Sequence, residues 1–388
     1  HLNDPDAARH IIGQARRQSP MALGPHGPEV LSYELVRTTL RDPRFTAALR
    51  LIVTAQGITS GPVWDRAMQN ILGLDGEQHQ RLRRLVSKAF TRSGAERLRM
   101  LVRDRITELV DPLTTAGHCD VVTDIARPYP TPIICALFGA PRQDWELFSA
   151  WTDEIKKLFG WNIAEEGPAI AAAWDEFDAY LDEMLAHRRD NLTDDLISDL
   201  IRAEDHGDRL SHSELLMLAA TLLAGGTETT RNQLAAAVQL LSCHPDQWAL
   251  LGKHPELAGD AVNELMRYLP VFFAVPRRAV EDVQLAQVTI PADSFVMANI
   301  AAANHDPAVY HDPDQLDITR MPAAGILTFG GGAHHCLGSH LARLELVEAL
   351  VMITRRMPNP RPGGPACWKE IAGITGPTTV PLEFDPGH

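Results

Sequence analysis

A mainly α fold with minor β is predicted by the spacing of apolar residues, by the scarcity of strand-like runs and by the lack of any internal boundary. Apolar positions recur every three or four residues through 97–110, 174–186, 211–241, 257–268 and 337–357, the period of helices with one buried face. Strand-like material is short and concentrated in 283–296, where Val, Ile and Phe are interrupted by Pro291, with further candidates at 22–23 and 379–384. No repeat, low-complexity tract or Gly/Ser/Pro linker divides the 388 residues, which read as one domain, 1–388, with a peripheral N-terminal segment.

Composition narrows the function. The chain carries 36 Lys and Arg against 50 Asp and Glu, a formal charge of −14. That balance argues against a general nucleic-acid binder, because phosphate neutralisation needs basic surface. No apolar run reaches the roughly 18–20 residues that cross a bilayer, and no cationic, apolar leader opens the chain, so the expectation is a cytoplasmic, monomeric protein without a membrane span. The five cysteines, Cys119, Cys135, Cys243, Cys336 and Cys367, are odd in number and widely spaced, and reduced thiols are expected.

The helix predicted from Ser211 opens with a capping-box pattern, a hydroxyl residue followed three later by Glu214. Its interior is too long and apolar for a surface helix, so it is expected to cross the middle of the molecule. Yet it contains Gly225-Gly226-Thr227-Glu228-Thr229-Thr230. Each glycine costs about 1 kcal/mol relative to Ala in a helix, and a buried acid adds desolvation. A local conflict of this kind marks a functional site.

The second unusual segment is Phe329-Gly-Gly-Gly-Ala-His-His-Cys336-Leu-Gly338, with four glycines and one cysteine directly before a helical pattern. Glycines allow tight turns and close approach to a flat ligand, and a cysteine near a helix N-terminus sits in a field that favours thiolate.

That segment matches in full FGxGxHxCxG, the haem-binding signature of the cytochrome P450 family. The resemblance extends to Gly225–Thr230, similar to the family's central-helix motif, to Glu264-Leu-Met-Arg267 as its ExxR and to His79-Gln-Arg-Leu-Arg83 as its HxxxR, all in the family's order. It implies the P450 fold, with a long central helix over haem b, and makes Cys336 the thiolate ligand of the haem iron. Phe329 would shield the sulfur, and backbone amides of the Gly-rich loop through Gly338 would donate to it. His79, Arg83 and His334 would hold the propionates, together with Arg277 or its neighbour Arg278. Glu264 and Arg267 would form a buried structural pair. Where relatives often carry a further cation this sequence has Gln315, which leaves the third member of that network open. Gly225 and Gly226 would leave room for oxygen and substrate.

Glu228 and Thr229 project about 100° apart on a helix. The expectation is a proton relay, with the hydroxyl toward the cofactor and the carboxylate toward solvent, as the family uses such a pair. The resemblance further implies a monooxygenase taking O2 as co-substrate, with NAD(P)H-derived electrons delivered by a ferredoxin or flavodoxin-like carrier and its reductase. A dock for the carrier is expected among Arg81, Arg84, Lys88, Arg92 and Arg343. Trp64, Met68, residues 148–161, Leu222, Leu223, Ala224, Val271, Phe272 and Phe273 are expected to line a pocket for a lipophilic small molecule of terpenoid, steroid or fatty-acyl type. A peroxide-driven haem-thiolate peroxygenase and a non-catalytic haem-thiolate sensor are the alternatives.

Overall fold

The computed structural model describes residues 3–205, 210–321, 324–371 and 373–386. Helices dominate the described residues, and the longest, His212–Ser242, runs through the core with 22 buried positions. Its capping box forms as expected. The Ser211 hydroxyl accepts from the Glu214 amide at 3.3 Å and the Ser211 amide donates back to the Glu214 carboxylate at 2.9 Å, which satisfies two otherwise orphaned donors. Around this central helix pack Pro130–Phe138, Trp145–Ile155, Ala258–Tyr268 and Ser339–Arg356.

Most expected helices lie within two residues of their predicted ends: Arg99–Val110, Ala258–Tyr268 and Ser339–Arg356. The exception is Ile163–Arg189, which begins well before the predicted residue 174. Pro168 lies inside this helix, in its second turn, where it withholds a donor from the Ala164 carbonyl without ending the helix.

The β structure is minor and peripheral. One sheet orders Met21–Gly24, Gly27–Val30, Phe295–Asn299, Ala274–Ala279 and Phe45–Ala47, all antiparallel except the pairing of Gly27–Val30 with Phe295–Asn299. The predicted strand region 283–296 divides into the hairpin Val283–Leu285/Val288–Ile290 and the start of Phe295–Asn299, with Pro291 in the connection. A second sheet places Pro381–Glu383 between His118–Asp120 and Arg361–Pro362. Cys367–Trp368 pairs with Pro377–Thr379.

The turn 156–162 is fastened to distant segments. The Gln56 amide donates to the Gly160 carbonyl at 3.2 Å and its oxygen accepts from the Ile163 amide at 2.8 Å. Trp161 stacks on His26 at 3.9 Å with the rings 3° from parallel, and meets Phe295 edge-on at 5.8 Å. No helix among the described residues is long and apolar enough to cross a membrane.

Candidate active site around Cys336

The Gly-rich loop is shaped by its glycines and held by its own backbone. Gly330 and Gly332 take φ of 69° and 65°, a region that costs other residues strain, and a Cβ on Gly332 would stand 2.5 Å from the Leu40 carbonyl. The Cys336 amide donates to the Phe329 carbonyl at 2.9 Å, which closes the loop just ahead of the helix Ser339–Arg356. The Cys336 side chain is exposed beside the loop; the protein packed around it pushes the thiol up, while the Gly338 amide bonded to it and the nearby Arg83 and Arg343 guanidiniums pull the other way. These opposing groups are what a thiolate ligand requires. Phe329 is covered on one face by Arg343, whose guanidinium lies 4.4 Å from the ring centre and is steadied by a 3.2 Å bond to Asn263.

The expected cationic cluster assembles beside this loop. His79, on the helix Gly76–Ser87, packs its ring 4.3 Å from that of His334. His334 is bonded to Asp75 at 3.0 Å, and Arg83, one turn after His79, donates to the His335 carbonyl at 2.6 Å. Arg277 and Arg278 lie in different surroundings. Alternation along Ala274–Ala279 buries Arg277, whereas Arg278 is exposed at its tip and paired to Asp293.

Among the described residues no carboxylate is bonded to Arg277, which donates to the Pro276 carbonyl at 2.9 Å, and burial pushes its guanidinium down to about 10 against the pull of Asp75. Among the described residues His79 Nδ1 is buried without a hydrogen-bond partner, and burial, reinforced by His334 and Arg83, pushes the imidazole down to about 4. A buried guanidinium with no counter-ion and an unpaired donor-acceptor are uncompensated as they stand. The carboxylates of a porphyrin would compensate both, so the residues present fit haem, with Cys336 on the iron and Arg277, Arg83, His79 and His334 around the propionates.

The two glycines of the central helix do different things. A Cβ on Gly225 would meet nothing within 4 Å, so this position opens onto free space. On Gly226 it would stand 2.8 Å from Ile134 Cδ1, which makes this glycine a close contact between helices and not a source of room above the cofactor. Thr229 donates its hydroxyl proton back to the Gly225 carbonyl at 2.7 Å, and its oxygen lone pairs remain available.

Glu228 departs from expectation, because its carboxylate does not reach solvent. It is buried and surrounded by Lys369 Nζ at 2.5 Å, Lys156 Nζ at 2.9 Å, Asn232 Nδ2 at 3.3 Å and Arg231 Nη2 at 3.5 Å, all on Oε1. Oε2 has no partner. Burial alone would raise this carboxyl; Lys156, Lys369 and Arg231 outweigh it and hold the group below its ordinary value. Asp153 completes the cluster, bonded to Arg231 at 2.8 Å and Lys156 at 2.9 Å. None of the lysines was singled out by the sequence, since contacts between residues 156, 228 and 369 leave no local pattern.

Glu264 and Arg267 are joined through two bonds of 2.7 and 2.9 Å, with both side chains almost fully buried. Arg267 also donates to the carbonyls of Asn304 and Pro313 at 2.9 and 2.8 Å. The open third place is filled by Arg320, whose Nε reaches Glu264 Oε1 at 3.1 Å, while Gln315 takes part only through its backbone carbonyl.

Among the expected pocket residues, Val271, Phe273, Leu223 and Ala224 are buried and Trp64, Met68, Leu222 and Phe272 partly so. Phe148 and Trp151 belong elsewhere. They pack at 5.4 Å from each other and against Phe177 and Tyr180, joining Trp145–Ile155 to Ile163–Arg189 as ordinary core. Of the basic residues expected to dock a carrier, Arg81 is bonded to Glu214 and Arg343 covers Phe329, whereas Arg84, Lys88 and Arg92 are exposed.

Comparison with known proteins agrees over the length of the chain. The family model described as cytochrome P450 matches residues 64–251 and 254–357. Mycinamicin IV hydroxylase/epoxidase of Micromonospora griseorubida is 40% identical over 92% of this chain and 90% of its own. Luteothin monooxygenase of Streptomyces thioluteus is 34% identical over 96% of this chain and 92% of its own. The crystal structure of CalO2 superposes with a TM-score of 0.92 at 31% identity, covering 99% of this chain and 97% of that one. The loop around Cys336, the central helix and the buried Glu264–Arg267 pair thus belong to a chain that is a member of the cytochrome P450 family, an oxygen-using haem monooxygenase.

Proposed function

We propose that this enzyme hydroxylates or epoxidises a lipophilic small molecule, of terpenoid, steroid or fatty-acyl type, with electrons that originate in NAD(P)H and arrive through a ferredoxin or flavodoxin-like carrier and its reductase. Haem bound through a thiolate supplies reductive activation of dioxygen and transfer of one oxygen atom to a C–H bond or a double bond.

The chain's own residues do the rest. Cys336 is the thiolate, held by the Gly338 amide and screened by Phe329 under Arg343. Arg277, Arg83, His79 and His334 bind the propionates. Gly225 leaves space for the reacting end of the substrate, and Val271, Phe273, Leu223 and Ala224 offer it an apolar wall and exclude water. Arg84, Lys88 and Arg92 form the dock for an acidic carrier.

The observation that carries the reading is the pair Glu228 and Thr229 beside Gly225. The Thr229 hydroxyl, anchored by donating to the Gly225 carbonyl, presents its oxygen as an acceptor, and the buried Glu228 is the adjacent carboxylate that takes up a proton and passes it on. A supply of protons is needed when oxygen is activated by reduction and is dispensable when peroxide is the oxidant, so this pair favours the carrier-driven reaction.

The test is product formed per NAD(P)H consumed. Thr229→Ala is expected to keep substrate binding and electron consumption while diverting flux to hydrogen peroxide. Glu228→Gln, an amide of equal size, is expected to slow turnover by roughly 10²–10⁴-fold. Wild-type coupling in the first and wild-type turnover in the second would overturn the assignment, and full activity with peroxide alone would favour the peroxygenase.

A further inference from the structure

We infer that Lys369 is a positioning residue that keeps Glu228 ionised, so that the readiness of the acid to take up a proton is set from Lys369 and the residues that hold it, Thr375 and Gly376. This rests on the reading of Glu228 as the group that takes up a proton and passes it on, and adds the residue that governs it.

The three cations around Glu228 are not equivalent. Lys156 and Arg231 each divide their charge between Glu228 and Asp153, with Asp153 contacts of 2.9 and 2.8 Å. Lys369 makes the shortest contact, 2.5 Å, and Glu228 is its only carboxylate partner among the described residues. Lys369 differs from Lys156 and Arg231 in bonding Glu228 without also bonding Asp153, which has Arg127 at 3.9 Å as a further cation. Its ammonium also bridges burial and solvent. The Glu228 side chain is 3% exposed and that of Lys369 31%, and burial lowers the ammonium's proton affinity against the pull of Glu228.

Lys369 is held in place by its backbone, which limits the entropy a long side chain loses on pairing. Its amide donates to the Gly376 carbonyl at 3.0 Å, and its carbonyl accepts from the Thr375 hydroxyl at 3.2 Å. Their neighbours grip the apolar wall: the Thr375 amide donates to the Val271 carbonyl at 2.9 Å, and Ile374 forms an antiparallel bridge with Phe272. Gly376 is pressed onto the central helix as well, where a Cβ on it would stand 2.5 Å from that of Asn232. Asn232 in turn bonds Glu228. Lys369, Ile374, Thr375 and Gly376 thus connect the pocket wall at Val271 and Phe272 with the acid's counter-ion.

The charged groups facing Glu228 are Lys156 from the turn after Trp145–Ile155, Arg231 from its own helix, Lys369, and Asp153 behind them. Removing the cation with the closest and least divided contact raises the pH at which Glu228 takes a proton, by about 1–3 units for a charge at this range.

The experiment reads the carboxylic-acid C=O stretch of Glu228, identified by its loss in Glu228→Gln, as infrared pH titrations of resting haem-loaded protein. Lys369→Met is expected to move the midpoint up by at least one unit, Lys369→Arg to restore it toward wild type, and Lys156→Met to move it less than Lys369→Met does. The pH profile of product coupling should move with the band. Should Lys369→Met fail to retain haem, Lys369→Gln, which keeps a donor without the charge, serves in its place. An unchanged midpoint in the charge-removing variant, or a larger shift in Lys156→Met, overturns the inference. Because the band is read at rest, it is decided independently of whether Glu228 feeds protons to oxygen, which the Glu228→Gln turnover decides.

Discussion

Arg320 Nε bonds Glu264 Oε1 at 3.1 Å, so the buried Glu264–Arg267 pair is closed by a residue more than fifty positions further along the chain. The same guanidinium donates to the carbonyls of His311, Asp312 and Gln315 at 2.5, 3.1 and 2.9 Å. It thereby binds the meander after Pro307 to the helix Ala258–Tyr268. A buried carboxylate with two guanidiniums has its lone pairs filled, which is the condition under which burying charge is tolerated.

Arg320→Met should therefore lower the unfolding free energy by about 1.5–3 kcal/mol, the cost of removing a hydrogen bond to a charged group. Gln315→Ala should change it by no more than about 0.5 kcal/mol, because the network uses only that residue's carbonyl. Denaturant midpoints of the haem-loaded protein check both. A loss in Gln315→Ala as large as that in Arg320→Met would contradict the assignment of the third place to Arg320 alone.

The adjacent arginines of Ala274–Ala279 should separate cleanly. Arg277→Leu removes the buried guanidinium that lacks a carboxylate and is expected to speed haem loss to an apo-globin acceptor by at least about tenfold, as for a charge-assisted pair worth more than 1.4 kcal/mol. Arg278→Leu loses only an exposed pairing with Asp293 and should release haem at the wild-type rate. Equal rates in both variants would place the propionate elsewhere.

Asp153 links the charged cluster to acid stability. Burial alone would raise its carboxyl, but Arg231 and Lys156 outweigh that and hold it at about 2. A carboxyl whose folded value lies below its unfolded value of about 3.9 stabilises the fold above the latter and loses that contribution as pH falls toward the former. The advantage of wild type over Asp153→Asn is expected to be about 1–2 kcal/mol near neutrality, discounted for its partial exposure, and to shrink below pH ~4. Paired denaturation curves from pH 6 to 3 measure it, and a gap that widens on acidification would contradict the assignment.

What the sequence revealed and what it hid divide along physical lines. Helices Arg99–Val110, Ala258–Tyr268 and His212–Ser242 were legible because burial of one face imposes a period, and the Ser211 cap because its partner is three residues away. The Gly-rich turn before Ser339 was legible because tight backbone demands glycine. Arg320, Lys156 and Lys369 were not, since an ion pair across the fold demands only a charge at the right place in space. Phe148 and Trp151 misled for the complementary reason: an aromatic side chain looks the same in sequence whether it faces a ligand or, as here, Phe177 and Tyr180. Gly226 carries the same lesson, being spent on contact with Ile134.

The three-stranded sheet has an implication for how the molecule is born. Pro381–Glu383 is its middle strand, pairing with His118–Asp120 on one side and Arg361–Pro362 on the other, so neither neighbour has a partner until residue 383 has left the ribosome. Lys369 lies between two of these strands and cannot take its post earlier. During synthesis the central helix can collapse onto its neighbours before Lys369 is made, with Glu228 lacking its closest cation, and Lys369 and the strand Pro381–Glu383 then secure the acid and the sheet. A chain stalled or clipped before this point would look largely folded by its helices yet carry an ungoverned carboxyl at its centre.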